Sequence, residues 1–106
     1  MQILTSQQLR EKINSGENFI VDMYADWCGP CRGLGTIFEK FAKQLESDGS
    51  SVGAYKFNIE SDKELAVELG VRSIPTIKAF SSGNVVSTKV GVLQESQLKD
   101  LVSEVF

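Results

Sequence analysis

The chain has 106 residues, a length typical of one domain, so we expect a single domain over residues 1–106. Its formal net charge is −3 at pH 7 and it has no basic run, which excludes the charge pattern of a nucleic-acid-binding protein. No apolar run approaches the ~18 residues of a membrane span and no secretory pattern begins the chain, so we expect a cytoplasmic protein without a membrane partner.

The first part of the chain predicts a strand, a helix and a second strand. We interpret residues 3–4 as a short opening strand, followed by a helix that is capped by Ser6 and ends at Gly16. Residues 19–25 are apolar on both faces except at Asp22, a pattern typical of the central strand of a mostly parallel sheet.

A long amphipathic helix is predicted after the two cysteines of the chain. Its apolar residues recur at i, i+3, i+4, i+7, i+8 and i+11, which places them on one helix face that packs into the core. These residues are Leu34, Ile37, Phe38, Phe41, Ala42 and Leu45.

The remaining elements are a strand, a short helix, a hairpin and a last helix. Residues 52–57 predict the strand, and a capping box of Ser61 and Glu64 opens the short helix. Residues 76–80 and 85–90 flank a turn-forming segment and predict a β-hairpin. The last helix is expected to bury Leu98, Leu101, Val102 and Val105. This order predicts an α/β fold with one mixed sheet and helices on both faces.

The chemistry of the chain centres on Cys28 and Cys31, its only cysteines. They lie at the start of the long helix, where the helix dipole and free N–H groups favour a thiolate over a thiol. A disulfide that closes so short a loop stabilises a fold by only roughly 2 kcal/mol, so the spacing favours reactivity over a structural bridge. A zinc site needs four ligands, and a chain without histidine could supply them only as a dimer.

Several segments of the chain resemble the thioredoxin family. They are residues 21–31, which contain the motif WCGPC, residues 56–60, residues 73–76, Gly83 and residues 89–91. The resemblance implies the thioredoxin fold, a five-stranded mixed sheet flanked by four helices. It also implies a protein-disulfide reductase, a dithiol electron carrier that needs no cofactor or metal. Such a carrier acts as a monomer and is re-reduced by an NADPH-dependent thioredoxin reductase.

The resemblance assigns roles within the WCGPC motif. Cys28, at the helix start and exposed, is expected to attack a substrate disulfide, and Cys31, one turn further and more buried, to resolve the mixed disulfide. Pro30 suits the first helical position because it needs no N–H partner there, and Gly29 permits a close approach. In this family a Gly-Pro pair goes with a reducing rather than an oxidising protein.

Asp22 is the most unusual residue in its surroundings. A carboxyl group in an apolar central strand is costly to ionise, so its pKa should be raised. By resemblance Asp22 is the acid–base group that takes the proton of Cys31, with Lys56 on the neighbouring strand as its partner. The alternatives are an Asp22 that is solvated at a sheet edge and a Lys56 that is an ordinary surface residue.

A flat apolar rim that docks substrates is also implied by the resemblance. Pro75 matches the family's cis-proline, which would place the main chain of Ile74 against Cys28. The other rim residues are Trp27, Ile59, Val71, Val90 and Gly91. For Ile59 and Val71, core packing explains an apolar residue equally well.

A few residues depart from the family pattern. Thr36 stands where a proline is usual in the long helix, so the kink is expected to be weaker or absent. Gly33 and Gly35 each cost about 1 kcal/mol relative to alanine inside a helix, which predicts a looser helix start. Tyr24 replaces a common tryptophan, and Asp26 adds negative charge beside the nucleophile.

Two other functions remain open from the sequence. One is a thioredoxin-like binding subunit whose partner surface matters more than its redox activity. The other is a specialised carrier whose redox role is partner-specific, for example one that feeds electrons to peroxidases.

Overall fold

The computed structural model describes all 106 residues, which form four strands and four α-helices. The strands are β1 (Phe19–Tyr24), β2 (Gly53–Asn58), β3 (Thr76–Ser81) and β4 (Asn84–Val90). The helices are α1 (Ser6–Ser15), α2 (Gly29–Ser47), α3 (Lys63–Glu68) and α4 (Glu95–Val105), with a 3₁₀ turn at Ile59–Ser61 before α3. None of the helices combines the length and the apolar character that crossing a bilayer requires.

The strands form one sheet in the order β2-β1-β3-β4. β1 pairs with β2 in parallel, whereas the β1–β3 and β3–β4 pairs are antiparallel. The prediction of a mixed sheet is confirmed, but the expectation that its centre is mostly parallel is wrong. β1 is the central apolar strand because it has a neighbour on each side and helices over both of its faces, whatever the direction of those neighbours.

The predicted fifth strand at residues 3–4 is reduced to a single bridge. Ile3 bridges Lys56 in parallel, and the N–H of Leu4 donates to the carbonyl of Lys56 at 2.8 Å. The N–H of Lys56 donates in turn to the carbonyl of Gln2 at 3.0 Å. Because α1 begins at Ser6, the segment is too short to extend this pairing, and the sheet has four strands instead of five.

Helices cover both faces of the sheet, as predicted, and each face has its own apolar cluster. Side chains from α2 and α4 form one cluster with alternate residues of β1 and β3, among them Ile20, Phe38, Ile77, Leu98 and Leu101. Side chains from α1 and α3 form the other cluster with Phe19, Val21, Phe57 and Phe80. Successive strand residues point to opposite faces, so Asp22 lies on the α2 side of β1. In α4, Leu98 and Leu101 are buried, and Val102 and Val105 are only partly so.

The caps of two helices differ from those predicted. Thr5, not Ser6, caps α1, and its hydroxyl accepts the N–H of Gln8 at 3.1 Å. Ser6 is already helical, and its hydroxyl donates to the carboxylate of Asp62. Asp62 itself caps α3, because Ser61 belongs to the 3₁₀ turn that precedes the helix. Thr5 and Ser6, like Ser61 and Asp62, are neighbouring residues that all have a side-chain oxygen suited to an N-cap. The sequence therefore located each cap only to within one residue.

The predicted hairpin between β3 and β4 is confirmed. Its two central residues, Ser82 and Gly83, have φ values of 54° and 82°. Positive φ at both positions is the signature of a type I′ turn, whose twist matches that of the flanking strands.

Candidate active site

The two cysteines form a disulfide at the N-terminus of α2, with a Cα–Cα distance of 5.3 Å. Cys28 is the N-cap of the helix, and its Sγ accepts the N–H of Cys31 at 3.3 Å. This hydrogen bond and the helix dipole would both stabilise negative charge on the Cys28 sulfur after reduction. The position of Cys28 at the helix mouth, which the sequence predicted, is therefore confirmed.

Exposure does not separate the two cysteines, contrary to the prediction. In the oxidised chain the exposed fraction is 4% for Cys28 and 3% for Cys31. The Sγ of Cys28 is covered by its bond to Cys31 and lies 3.9 Å from the carbonyl oxygen of Ile74. The two sulfurs differ in their position on the helix. Cys28 is the N-cap, so its sulfur faces the free N–H groups of the first turn, and Cys31 lies inside that turn.

The two residues between the cysteines lie slightly differently from the prediction. The helix begins at Gly29, so Pro30 occupies the second helical position instead of the first. The N–H that a proline lacks is still unpaired at this position, which explains why Pro30 is accommodated. A Cβ on Gly29 would meet no atom within 4 Å, so no contact within the chain requires a glycine here.

The peptide bond between Ile74 and Pro75 is cis, as predicted from the resemblance. It lies beside a groove of about 480 Å³ that borders the disulfide. The lining residues are Trp27, Cys28, Gly29, Pro30, Ile59, Val71, Arg72, Ser73 and Ile74. Four predicted rim residues therefore come together on this groove, and Trp27 is the most open of them with 66% of its surface exposed.

Two predicted rim residues lie beside the groove instead of lining it. The N–H of Gly91 donates to the carbonyl of Pro75 at 2.9 Å, which attaches the end of β4 to the cis-proline segment. Val90 precedes it and is exposed. The sequence prediction missed Arg72 and Ser73, which line the groove next to Ile74. Their position directly before the Ile-Pro dipeptide was the only signal that could have identified them.

Asp22 is fully buried, and neither of its carboxylate oxygens has a hydrogen-bond partner. Burial raises the pKa of Asp22 from its ordinary value of 3.8 to about 6. The positive charge of Lys56 opposes that increase in pKa, and the negative charge of Glu39 adds to it. The prediction of a buried carboxyl group with a raised pKa is confirmed, and the alternative of a solvated Asp22 is wrong.

Lys56 is not ion-paired with Asp22, which corrects the predicted partnership. The two residues are register partners in the β1–β2 pair, but the Nζ of Lys56 lies 3.6 Å from Oε1 of Glu39. The same Nζ lies 4.5 Å from the centre of the Tyr24 ring, a cation–π geometry. Only 14% of the Lys56 side chain is exposed, so it is not an ordinary surface lysine. Lys56 therefore acts on Asp22 through its charge and without direct contact.

A second cavity of about 170 Å³ reaches the disulfide from the side of Cys31. It is lined by Tyr24, Ala25, Asp26, Cys31, Arg32 and Lys56. Arg32 donates to the main-chain carbonyl of Asp26 at 3.0 Å, and burial raises the pKa of Tyr24. The cavity gives the Cys31 side of the active site its own opening, separate from the groove.

The residues of α2 that depart from the family pattern are now placed. The helix runs without interruption through Thr36, whose hydroxyl donates to the carbonyl of Arg32 at 3.4 Å. A Cβ on Gly33 would meet nothing within 4 Å, whereas a Cβ on Gly35 would lie 3.2 Å from the Nζ of Lys56. The contact with Lys56 therefore explains a glycine at position 35, whereas no contact explains the glycine at position 33.

Comparison with known proteins gives consistent matches over almost the whole chain. The thioredoxin family model matches residues 1–104. The thioredoxin of Buchnera aphidicola subsp. Acyrthosiphon pisum is 39% identical over 102 residues, covering 95% of this chain and 92% of that protein. The thioredoxin of Porphyra purpurea is 34% identical over 103 residues, covering 97% of this chain and 94% of that protein. The solved structure of Malassezia sympodialis thioredoxin superposes with a TM-score of 0.85 at 30% identity, covering 98% of this chain and 91% of that one.

Proposed function

This chain belongs to the thioredoxin family and is a dithiol disulfide oxidoreductase, and we propose that Cys28 and Cys31 act in that order on protein disulfides. The observation that carries the proposal is the Cys28–Cys31 disulfide at the N-terminus of α2, on the wall of an open apolar groove. This bond is the oxidised product that the proposed reaction would leave.

The reaction consists of two exchange steps. The thiolate of Cys28 attacks one sulfur of the substrate disulfide, forms a mixed disulfide and releases the other substrate sulfur as a thiolate. The thiolate of Cys31 then attacks the Cys28 sulfur, forms the internal disulfide and releases the second substrate thiolate. Two electrons pass from the dithiol to the substrate, and the two cysteine protons end on the substrate sulfurs.

We assign to Asp22 the proton transfer that the second step requires, because Cys31 must lose its proton before it attacks. The support is a buried carboxyl group without a hydrogen-bond partner, whose pKa of about 6 suits proton exchange near neutral pH. The chain has no histidine that could take this role. Lys56 has a supporting role through its charge.

The groove is the proposed docking surface for a substrate segment. Its apolar walls, Trp27, Ile59, Val71 and Ile74, would cover the residues that flank a substrate cysteine. Val90 and Gly91 would extend this surface at the end of β4. The main chain of Ile74, next to Cys28, would pair with an extended segment that carries the substrate disulfide.

A carrier that turns over must have its internal disulfide reduced again after each reaction. We propose that an NADPH-dependent thioredoxin reductase returns the internal disulfide to the dithiol. A single chain is the proposed working unit, since both cysteines and the groove lie within it. The proposed location is the cytoplasm, a compartment in which thiols are kept reduced.

Reduction of insulin by dithiothreitol tests the proposed function. We expect the wild-type chain to accelerate insulin reduction and Cys28→Ser to abolish that acceleration. Cys31→Ser that is reduced, freed of dithiothreitol and then mixed with insulin should instead accumulate a covalent mixed disulfide, which added dithiothreitol releases. Turnover by Cys28→Ser would contradict the proposal, and a Cys28→Ser chain that retains full biological function would favour a binding subunit.

A further inference from the structure

The ammonium group of Lys56 occupies a defined position on the α2 side of the sheet. Its Nζ lies 3.6 Å from a carboxylate oxygen of Glu39 and 4.5 Å from the centre of the Tyr24 ring. A Cβ on Gly35 would lie only 3.2 Å from the same Nζ, so the glycine leaves the space that the ammonium occupies. Three features from β1 and α2 therefore hold the charge of Lys56 in one place.

Two carboxyl groups compete for this single ammonium. Asp22 is the register partner of Lys56, yet no ion pair joins them within 4 Å. Glu39 lies on α2 with 48% of its side chain exposed, so its carboxylate keeps much of its hydration while it binds Lys56. An ion pair with the fully buried Asp22 would instead require both charges to leave water. The observed pairing with Glu39 is the one with the smaller desolvation cost.

The groups that face Asp22 limit what else could act on it. β2 contributes Lys56 and α2 contributes the carboxylate of Glu39, and these two charged groups both act on Asp22. β1 itself contributes Tyr24, which shares the same face, and β3 opposes Asp22 with the apolar Ile77. Burial has the largest effect on the pKa of Asp22, and Lys56 and Glu39 are the charged side chains that modify it, so the placement of Lys56 is the part of this environment that a neighbouring residue can change.

We propose that Glu39 is a positioning residue that holds the ammonium of Lys56 away from Asp22 and so keeps the Asp22 carboxyl group free to exchange a proton with Cys31. The inference rests on the proposed role of Asp22 as proton acceptor. When Glu39 is lost, Lys56 turns to its register partner, and the paired Asp22 carboxylate holds its negative charge more firmly. Asp22 then becomes a weaker base.

The test is the variant Glu39→Gln, in which the ammonium loses its present partner. We follow the side-chain carboxyl carbon of Asp22 by NMR against pH in the oxidised protein. We expect the midpoint of about 6 to fall by about 1 pH unit, the effect of an opposite charge moving into contact. Glu46→Gln, on the same helix and without an ion pair, is the matched control and should leave the midpoint unchanged. An unchanged midpoint in Glu39→Gln would overturn the proposal.

A double-mutant cycle separates positioning from the direct charge of Glu39. In a Lys56→Gln background there is no ammonium to release, so Glu39→Gln should shift the Asp22 midpoint by less than about a third of its effect in the wild type. An equal shift in both backgrounds would show that Glu39 acts only by its own charge, and the proposal would be wrong.

A kinetic measurement separates this inference from the proposed function. The pH profile of mixed-disulfide resolution should move to lower pH in Glu39→Gln by the same amount as the NMR midpoint. If Asp22→Asn leaves the rate of resolution unchanged, the role of Asp22 as base fails while the NMR result still decides the placement of Lys56. If Asp22→Asn slows resolution and the Glu39→Gln profile stays unmoved, the inference about Glu39 fails alone.

Discussion

At the scale of single residues, the site combines one capped sulfur with one buried, unpaired carboxyl group. The Sγ of Cys28 accepts the N–H of Cys31 at the mouth of α2, which favours a thiolate on this sulfur after reduction. Asp22 is fully buried and has no hydrogen bond within the protein to stabilise its charge, so it binds a proton more tightly than a surface carboxyl group does. The same burial that raises the pKa of Asp22 makes its ionised form costly to the folded state.

Asp22→Asn should therefore stabilise the protein at high pH. The pKa of Asp22 is raised in the folded state, so its contribution to stability is present below pH 3.8 and is lost as the pH rises through about 6. The difference between these values corresponds to about 3 kcal/mol, by which the variant should gain unfolding free energy at pH 8. At pH 4 the gain should be below about 1 kcal/mol.

Urea unfolding of the oxidised protein, followed by circular dichroism at the two pH values, measures this difference. Asp100→Asn, which removes an exposed carboxyl group from α4, serves as the control and should show no such pH dependence. An equal gain for Asp22→Asn at pH 4 and pH 8 would show that ionisation is not the cause.

At the scale of elements, α2 organises most of the site. It begins at Cys28, and about two and three turns further along Gly35 and Glu39 contact the ammonium of Lys56. Its apolar face, with Phe38 and Phe41, packs into the core and fixes its position over β1. Thr36 lets the backbone continue where a proline would remove a hydrogen bond. One helix thus carries both the capped cysteine and the two residues that contact Lys56.

The glycines at the start of α2 give a prediction for this helix. Gly33→Ala should raise the unfolding free energy by about 1 kcal/mol, since the residue is helical and its Cβ would meet nothing within 4 Å. Gly35→Ala should gain less, because its Cβ would press on the Nζ of Lys56 at 3.2 Å. Denaturant unfolding of both variants measures the difference, and a loss of stability in Gly33→Ala would contradict it.

At the scale of the whole molecule, the sheet topology assembles the groove from segments that are distant in sequence. β1 and β2 are parallel and end at the same edge of the sheet, while β3 is antiparallel to β1 and begins there. The segments that follow β1 and β2 and precede β3 carry Trp27, Ile59 and Ile74, and they meet at that edge. The strand order therefore places the groove, our proposed docking surface, next to the disulfide.

Trp27→Ala tests this surface. Because the Trp27 side chain is largely exposed, we expect unchanged stability, but a rise of about 10-fold in KM for insulin from the loss of a central aromatic contact. Val67→Ala is the control, since Val67 is an exposed apolar residue of α3 that does not line the groove. Steady-state kinetics at saturating dithiothreitol measure both variants, and equal KM values would exclude the groove as the docking surface.

The sequence by itself determined the features that depend on local patterns. The 3.6-residue period of α2, the turn residues of the hairpin and the position of Cys28 at the helix mouth each involve neighbours within a few residues, so they were predicted correctly. The burial of Asp22 was also predictable, because it interrupts an otherwise apolar strand. The WCGPC motif and the Ile-Pro dipeptide supplied the rest of the site by resemblance.

The tertiary structure alone decided which groups meet. The expected fifth strand is one bridge because α1 begins too soon, and the two cysteines are equally buried because oxidation and the Ile74 segment cover both. Lys56 pairs with Glu39 instead of Asp22, a choice between two carboxylates that lie far apart in sequence. These outcomes depend on distances and desolvation across elements, which no pattern within a single segment contains.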